Sequence, residues 1–180
     1  MSNKLSIAVF AGGCFWCTEA IFKRIKGVVS VTSGYTGGFI KNPAYREVCQ
    51  GTTGHAEGVR IEFEPVQVTY NDLLEVFFAT HDPTTLNRQG NDVGTQYRSE
   101  IFYTSESQKE QAESFVNHLN DNRLFGKPIV TKVSAFEVFY DAEKNHHDYY
   151  DLNKTQPYCQ VIIYPKLEKL KQLFNDQLKP

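Results

Sequence analysis

The segment Gly12-Gly13-Cys14-Phe15-Trp16-Cys17 places two cysteines and two large aromatic rings at a single turn of the chain. Residues 7–10 before it are apolar and predict a short buried strand, whereas residues 18–25 after it predict a helix. The glycines allow a tight turn. A cysteine at such a turn meets unpaired backbone N–H groups and the positive end of the helix dipole, which favour a thiolate. We therefore expect Cys14 to be reactive, the alternative being a buried structural cysteine.

Apolar periodicity along the rest of the chain predicts alternating strands and helices. Further strands are expected at residues 28–33, 59–63, 101–103 and 133–140. Further helices are expected at residues 70–80 and 141–151, and a capping box at residues 105–108 predicts another helix after it. A final amphipathic helix is expected around Leu167, Leu170, Leu173 and Phe174. Residues 34–54 and 81–98 carry turn signals and are predicted to be irregular. This order predicts an α+β fold.

The length of 180 residues suits one domain, so we expect a single catalytic domain over residues 1–180. Residues 152–180 are expected to form a C-terminal segment that ends in a helix. The formal net charge of -2 gives no basic surface for nucleic acid or anionic membranes. The sequence contains no apolar run near the roughly 20 residues of a membrane helix, and its first ten residues do not resemble a signal peptide. We expect a cytoplasmic protein.

The four cysteines are Cys14, Cys17, Cys49 and Cys159. A Cys-x-x-Cys pair such as Cys14 and Cys17 is typical of a redox couple or of half a zinc site. Zinc requires two further ligands, but the other two cysteines are isolated in the sequence. His146 and His147 are adjacent, whereas zinc-binding histidines are usually separated by about three to five residues. We therefore expect no metal. Cys49 is expected to be structural, and Cys159 is either buried under the last helix or carried on a mobile segment that can meet an oxidised Cys14.

Several polar residues in or next to the two irregular stretches have both an ordinary and a functional interpretation. Glu57 precedes the strand at 59–63, and sequence alone favours a solvated turn carboxylate. Held in an apolar pocket instead, it would have a raised pKa and could donate a proton. Tyr45 and Tyr97 are surface residues by default, but their hydroxyl groups could bind a polar substrate atom. Asp92 is by default a turn residue, and His55 is expected to be structural.

Six blocks of residues in this order resemble the peptide methionine sulfoxide reductase A family. A lone Cys-Phe-Trp-Cys would be a weak signal, whereas six ordered blocks that run from Gly13 to about Cys159 are highly specific. The blocks are Gly13-Cys14-Phe15-Trp16, Gly34-Tyr35, Asn42-Pro43 with Tyr45, Gly54-His55-Ala56-Glu57, His81-Asp82-Pro83 and Gly90-Asn91-Asp92 through Gln96-Tyr97-Arg98-Ser99. The resemblance implies a two-layer α+β sandwich with a mixed sheet, packed helices and a ferredoxin-like core.

The resemblance also implies a role for each matching residue. Cys14 is implied to be the nucleophile, and Glu57 the acid that protonates the sulfoxide oxygen. Phe15 and Trp16 are implied to form the apolar wall for the S-methyl group. The groups implied to hold the oxygen, directly or through water, are Tyr45, Tyr97 and Asp92.

The implied reaction reduces methionine S-sulfoxide, free or within proteins, and leaves Cys14 as a sulfenic acid. A second thiol then forms a disulfide, which the partner thioredoxin reduces. No metal or organic cofactor is implied. Many family members have Gly where this chain has Cys17, and resolve with cysteines in a Gly-rich tail, so Cys159 and Cys17 compete for the resolving role. Cys159 is favoured because it need not bend the first helix.

A second functional class stays open at this point. The Cys14 and Cys17 pair alone is also typical of a general thiol–disulfide oxidoreductase. The aromatic pair between the two cysteines favours the sulfoxide reductase, because a sulfoxide needs an apolar wall beside polar donors.

Overall fold

The computed structural model describes residues 4–180 as strands and helices arranged around one mixed sheet. The strands are β1 (Ser6–Gly12), β2 (Val28–Thr36), β3 (Ala56–Phe63), β4 (Arg88–Gln89), β5 (Asp92–Val93), β6 (Ser99–Tyr103), β7 (Lys132–Ala135) and β8 (Phe139–Asp141). The helices are α1 (Phe15–Phe22), α2 (Tyr45–Cys49), α3 (Tyr70–Thr80), α4 (Glu106–Asp121), α5 (Tyr149–Leu152) and α6 (Tyr164–Phe174). No helix in this part of the chain is long and apolar enough to cross a membrane.

The six-stranded sheet has the order β7-β6-β1-β3-β2-β8. Its four central strands are mutually antiparallel, with α1 connecting β1 to β2 and α3 connecting β3 towards β6. Taken as strands one to four, they follow the order 4-1-3-2 of a ferredoxin-like βαββαβ unit. The predicted α+β fold with a ferredoxin-like core is therefore confirmed.

The sheet must curl strongly, because β7 and β8 lie at its opposite edges although only residues 136–138 separate them. In a flat sheet the two edges would be about 24 Å apart, at roughly 4.8 Å between neighbouring strands. Four extended residues span at most about 14 Å. The prediction of one strand over residues 133–140 is therefore wrong, since its two halves pair with β6 and with β2.

Strand β1 is buried on both faces, which explains its continuous apolar sequence. On one face, Phe10 packs between α1 and α3, with its ring stacked on Phe77 at a centroid distance of 4.8 Å and near Phe22 at 5.6 Å. On the other face, Val9 belongs to a smaller cluster with Phe102. Since neighbouring residues of a strand point to opposite faces, β1 joins the two apolar layers.

Local corrections concern the segments between the regular elements. Strand β2 continues to Thr36 and α2 forms within residues 34–54, which were predicted to be irregular throughout. The predicted helix over 141–151 is wrong: the chain finishes β8, forms a 3₁₀ turn at Lys144–His146 and only then enters α5. Asp148 breaks any continuous helix there, because its φ of 54° lies in the left-handed region.

The C-terminal segment is helical from residue 157, with a π-helical turn over Cys159–Ile163 that leads into α6. Cys159 is completely buried, so its predicted place on a mobile segment is wrong and the alternative of burial under the last helix is right. The end of the chain is tied to the end of α1, where the Lys179 N–H donates to the Arg24 carbonyl oxygen at 2.8 Å. The structure therefore offers this thiol no free path.

We expect Gly34→Ala to lower the free energy of unfolding by about 1–3 kcal/mol, the usual cost of overpacking. A Cβ atom at Gly34 would lie 2.3 Å from the Tyr140 carbonyl oxygen and 2.3 Å from a carbon of the Phe139 ring, both on β8. Urea unfolding measures the loss, and amide hydrogen exchange should show faster exchange in residues 139–141. Ser30→Ala on the same strand is the control, and equal losses in both variants would contradict the argument.

Candidate active site

Cys14 is the N-cap residue of α1. The helix begins at Phe15, three residues earlier than the start at residue 18 that the sequence predicts. Its carbonyl oxygen accepts a hydrogen bond from the Cys17 N–H at 3.1 Å, and its side chain is 9% exposed. Gly13 before it has a φ of 97°, and a Cβ atom there would lie 2.7 Å from Gln89. Only glycine therefore fits this turn, which places the Cys14 sulfur at the inner end of the site.

Glu57 lies on β3 and is 1% exposed, so the solvated turn carboxylate favoured by sequence alone is wrong. One carboxyl oxygen, Oε1, accepts a hydrogen bond from the Phe15 N–H at 3.2 Å. The other, Oε2, is buried and has no hydrogen-bond partner among the described residues. Burial raises the pKa of Glu57 to about 8, so the carboxyl group is protonated at neutral pH. Its O–H group is then free to donate.

The two cysteines of the motif act as one titrating pair. Burial raises the pKa of the Cys14 thiol, so it outweighs the helix N-terminus, which was expected to favour a thiolate at Cys14. A hydrogen bond from Cys14 lowers the pKa of Cys17 to about 7. Once Cys17 has lost its proton, the pair shares the proton that remains, and moving it from Cys14 to Cys17 creates the Cys14 thiolate.

Tyr45 and Tyr97 face Glu57 from two different segments. Burial raises the pKa of both phenols, and the charge of Glu57 raises it further. Tyr45 also packs against Phe15, whose N–H donates to Glu57, with a ring centroid distance of 6.3 Å. Tyr45 also hydrogen-bonds the thiol of Cys49. Asp92, on β5, accepts a hydrogen bond from the Tyr158 hydroxyl at 2.7 Å. The structure thus links Asp92 to Cys17 through Tyr158 and places Tyr45 against Phe15, and the charge of Glu57 reaches both Tyr45 and Tyr97.

Trp16 provides the accessible aromatic ring of the site. It is half-buried and stacks on Tyr149 with a centroid distance of 3.7 Å and an interplanar angle of 8°. Its indole N–H donates to His146 Nδ1 at 3.1 Å. Phe15 is completely buried and packs against Tyr35 at 5.7 Å, so it lies behind the site rather than on its surface. The indole is therefore held on one face and at its nitrogen.

Sequence analysis missed four residues that support the site. His146 and Tyr149 fix Trp16, and Tyr158 bonds Asp92. Glu143 accepts hydrogen bonds from the Tyr35 hydroxyl at 2.9 Å and from the Tyr45 N–H at 3.0 Å. The only available signal was the density of histidine and tyrosine between residues 146 and 158, in a segment predicted to be an ordinary polar helix.

His55 is structural, as predicted, because both of its ring nitrogens are used by backbone groups. Nδ1 accepts from the Gly38 N–H at 2.9 Å, so Nε2 donates to the Ile40 carbonyl oxygen at 2.7 Å. Across residues 4–180, no group of three histidine, cysteine or acidic side chains is arranged to hold a metal ion.

Fold and site together define a thiol-dependent reductase with a buried acid beside its cysteine pair. The family model described as peptide methionine sulfoxide reductase matches residues 6–178. The peptide methionine sulfoxide reductase MsrA of Saccharolobus solfataricus is 53% identical over 175 residues, which cover 97% of this chain and 98% of that protein. The chain belongs to the peptide methionine sulfoxide reductase A family. This membership does not favour the general thiol–disulfide oxidoreductase.

Solved structures agree with this family. The crystal structure of reduced Mxr1 from Saccharomyces cerevisiae matches with a TM-score of 0.80 and 33% identity, over 88% of this chain and 91% of that chain. Mxr1 has also been solved in complex with Trx2, and that chain matches with a TM-score of 0.56 and 24% identity, over 83% of this chain and 87% of that chain. The second likeness supports the fold alone.

We expect Glu57 to make the free energy of unfolding fall as the pH rises from 5 to 7. The unfolded chain releases the Glu57 proton near the ordinary value of 4.5, whereas the folded protein keeps it until about pH 8. Stability from this group is complete below the lower value and is lost towards the higher one, at about 1.4 kcal/mol per pH unit.

Glu57→Gln should remove this slope, because the amide keeps the shape of the side chain but does not titrate. Urea unfolding of both proteins at pH 5 and pH 7 measures the difference. Glu62→Gln, at a partly exposed position on the same strand, is the matched control. A slope that stays the same in Glu57→Gln would show that Glu57 is not the buried proton carrier.

Proposed function

We propose that this protein reduces methionine S-sulfoxide, free and within proteins, with Cys14 as the nucleophile. The observation that carries the proposal is the buried, protonated Glu57, whose Oε2 has no partner among the described residues and lies beside the cysteine pair. A sulfoxide presents a strongly polar oxygen and an apolar methyl group. A free acidic O–H group and an aromatic ring beside one thiol match these two ends.

The residues proposed to bind the sulfoxide divide into two groups by chemistry. Glu57, Tyr45 and Tyr97 supply O–H donors for the oxygen, and Asp92 orders the same region by accepting the hydrogen bond of Tyr158. The exposed face of Trp16 receives the methyl group, and Phe15 supports the wall from behind.

The first proposed step uses the shared proton of the cysteine pair. Cys17 takes the proton of Cys14, and the Cys14 thiolate attacks the sulfoxide sulfur while Glu57 gives its proton to the oxygen. The sulfur–sulfur bond formed by the attack and the sulfur–oxygen bond of the substrate then break as the oxygen passes to Cys14. Methionine leaves, Cys14 is a sulfenic acid, Glu57 is a carboxylate and Cys17 is a thiol. One electron pair has moved from Cys14 to the substrate.

For the second step we propose Cys17 as the resolving thiol rather than Cys159, which the sequence favoured. Cys14 and Cys17 share one turn of the chain, since the Cys17 N–H donates to the Cys14 carbonyl oxygen at 3.1 Å, and each thiol affects the pKa of the other. Cys14 lies outside the first helical turn as its N-cap, so it can adjust without bending α1. Cys159 is completely buried in a helical segment that is remote from Cys14 in the sequence.

The resulting disulfide requires an external dithiol, for which we propose thioredoxin. Mxr1, whose reduced structure is 33% identical to this chain, has been solved in complex with Trx2, and this motivates the same partner here. Cysteine sulfurs carry all the electrons in this scheme, so it uses no metal or organic cofactor. We further propose a cytoplasmic location, where thiols are kept reduced.

We expect Glu57→Gln to slow methionine formation by about 10²- to 10⁴-fold, the usual contribution of a general acid. The amide can keep the hydrogen bond to the Phe15 N–H, but it cannot transfer a proton. Single-turnover mixing with methionine S-sulfoxide measures this step without the reductant. Cys14→Ser should form no methionine, and activity in that variant would refute the proposed function.

We expect one equivalent of methionine sulfoxide to produce a disulfide between Cys14 and Cys17. After alkylation of the remaining thiols and cleavage at lysine and arginine, both cysteines lie in the peptide of residues 5–23, which should lose two hydrogens. Cys159, in the peptide of residues 155–166, should be fully alkylated. Cys159→Ser should give the same result, whereas Cys17→Ser should accumulate sulfenic acid. A disulfide between the two peptides would identify Cys159 as the resolving thiol.

A further inference from the structure

Tyr158 links two parts of the site that the reaction uses separately. Its hydroxyl group donates to Asp92 Oδ2 at 2.7 Å and lies 3.8 Å from the sulfur of Cys17. The ring packs edge-on against Trp16 with a centroid distance of 5.8 Å. The hydroxyl oxygen is therefore held between a carboxylate and a thiol by a side chain whose ring is fixed.

A phenol has a single hydrogen, and its position decides what the oxygen can do. At 2.7 Å from a carboxylate, the hydrogen is used in a charge-assisted bond to Asp92. The oxygen then presents a lone pair to Cys17, so it can accept a hydrogen bond from the Cys17 thiol but cannot also donate one. The arrangement is a line from thiol to phenol to carboxylate.

We propose that Tyr158 and Asp92 form a general-base relay that removes the proton of Cys17 during disulfide formation. The proposal rests on the proposed function, with Cys17 as the resolving thiol. After the first step Cys17 holds the proton that it took from Cys14, and its former hydrogen-bond partner has become a sulfenic acid. The Tyr158 oxygen is the remaining acceptor described beside the Cys17 sulfur.

The step balances in atoms and electrons. The Cys17 sulfur gives an electron pair to the Cys14 sulfur, the sulfur–sulfur bond forms and the sulfur–oxygen bond of the sulfenic acid breaks. The Cys17 proton passes to the Tyr158 oxygen as the Tyr158 proton passes to Asp92, which is half-buried and returns it to solvent. The departing hydroxide becomes water with a proton from Glu57, which has been reprotonated from solvent. Cys17 is oxidised and Cys14 is reduced.

Other charged groups face this line and affect every protonation state in it. The charges of Cys14 and Cys17 reach the Tyr158 hydroxyl from α1, and that of Asp92 reaches it from β5. Lys166, on α6, places a positive charge near Cys17. This positive charge favours the Cys17 thiolate, so it assists the same proton loss that the relay promotes.

The test is Tyr158→Phe, which keeps the ring and removes the relay oxygen. Disulfide formation is followed from sulfenic acid formed beforehand, so the result does not depend on the rate of methionine formation, which Tyr158 also affects through Asp92. Disulfide formation at pH 7 should slow by about 100-fold, in the range for loss of a general base. Sulfenic acid should accumulate and be captured by a 1,3-cyclohexanedione probe.

The pH profile separates a base from a merely structural contact. In Tyr158→Phe the rate of disulfide formation should rise about tenfold per pH unit, because only the Cys17 thiolate then reacts, and it should approach the wild-type rate near pH 9. Asp92→Asn, measured by the decay of preformed sulfenic acid, should show the same profile. This second variant keeps the test decisive if Tyr158→Phe fails to fold.

Tyr164→Phe is the matched control, since Tyr164 is a half-exposed tyrosine in the same C-terminal helical segment. It should match the wild type in both steps. Disulfide formation at the wild-type rate and pH dependence in Tyr158→Phe would overturn the relay, as would a wild-type disulfide from Cys14 to Cys159. Absence of methionine formation by the wild type would instead overturn the proposed function itself.

Discussion

The hydrogen bond from the Phe15 N–H to Glu57 Oε1 is the contact on which the rest of the site depends. It joins the first turn of α1 to β3, so it fixes the distance between the cysteine pair and the buried carboxyl group. A single hydrogen bond favours the charged carboxylate, but burial outweighs it and leaves the group protonated at neutral pH. The first N–H group of α1 therefore binds the acid of the site, and burial outweighs the backbone hydrogen bond that lowers the pKa of Cys14.

The curl of the sheet explains how distant segments reach this contact. Tyr35 on β2 pairs with Glu57 on β3 on one side and with Tyr140 on β8 on the other. Strand β8 follows β7 after three residues and pairs with the edge of β2. The chain that follows β8 therefore starts beside Tyr35 and Glu57 and crosses that end of the sheet. That segment delivers Glu143 to the backbone of Tyr45 and His146 to the indole of Trp16.

Local patterns predicted what local interactions decide. The apolar spacing of residues 70–80 gave α3 with its observed bounds, and the motif around Cys14 placed a helix after β1. The division of residues 133–140 between two sheet edges was not predictable, because both halves have the same strand pattern and only pairing with β6 or β2 separates them. The prediction that Cys14 favours a thiolate was wrong for a related reason. Burial by distant segments dominates its pKa, and the sequence shows only the helix N-terminus.

The second cysteine gives the proposed reaction a proton problem that a single thiol would not have. In the resting site Cys17 is the more acidic sulfur because Cys14 donates to it, and this makes it a good acceptor for the proton that the nucleophile must lose. The same transfer leaves Cys17 protonated when it is next required as a nucleophile itself. A site that uses one sulfur first as base and then as attacking thiol needs a separate outlet for that proton. The phenol of Tyr158, held by Asp92, lies where such an outlet is required.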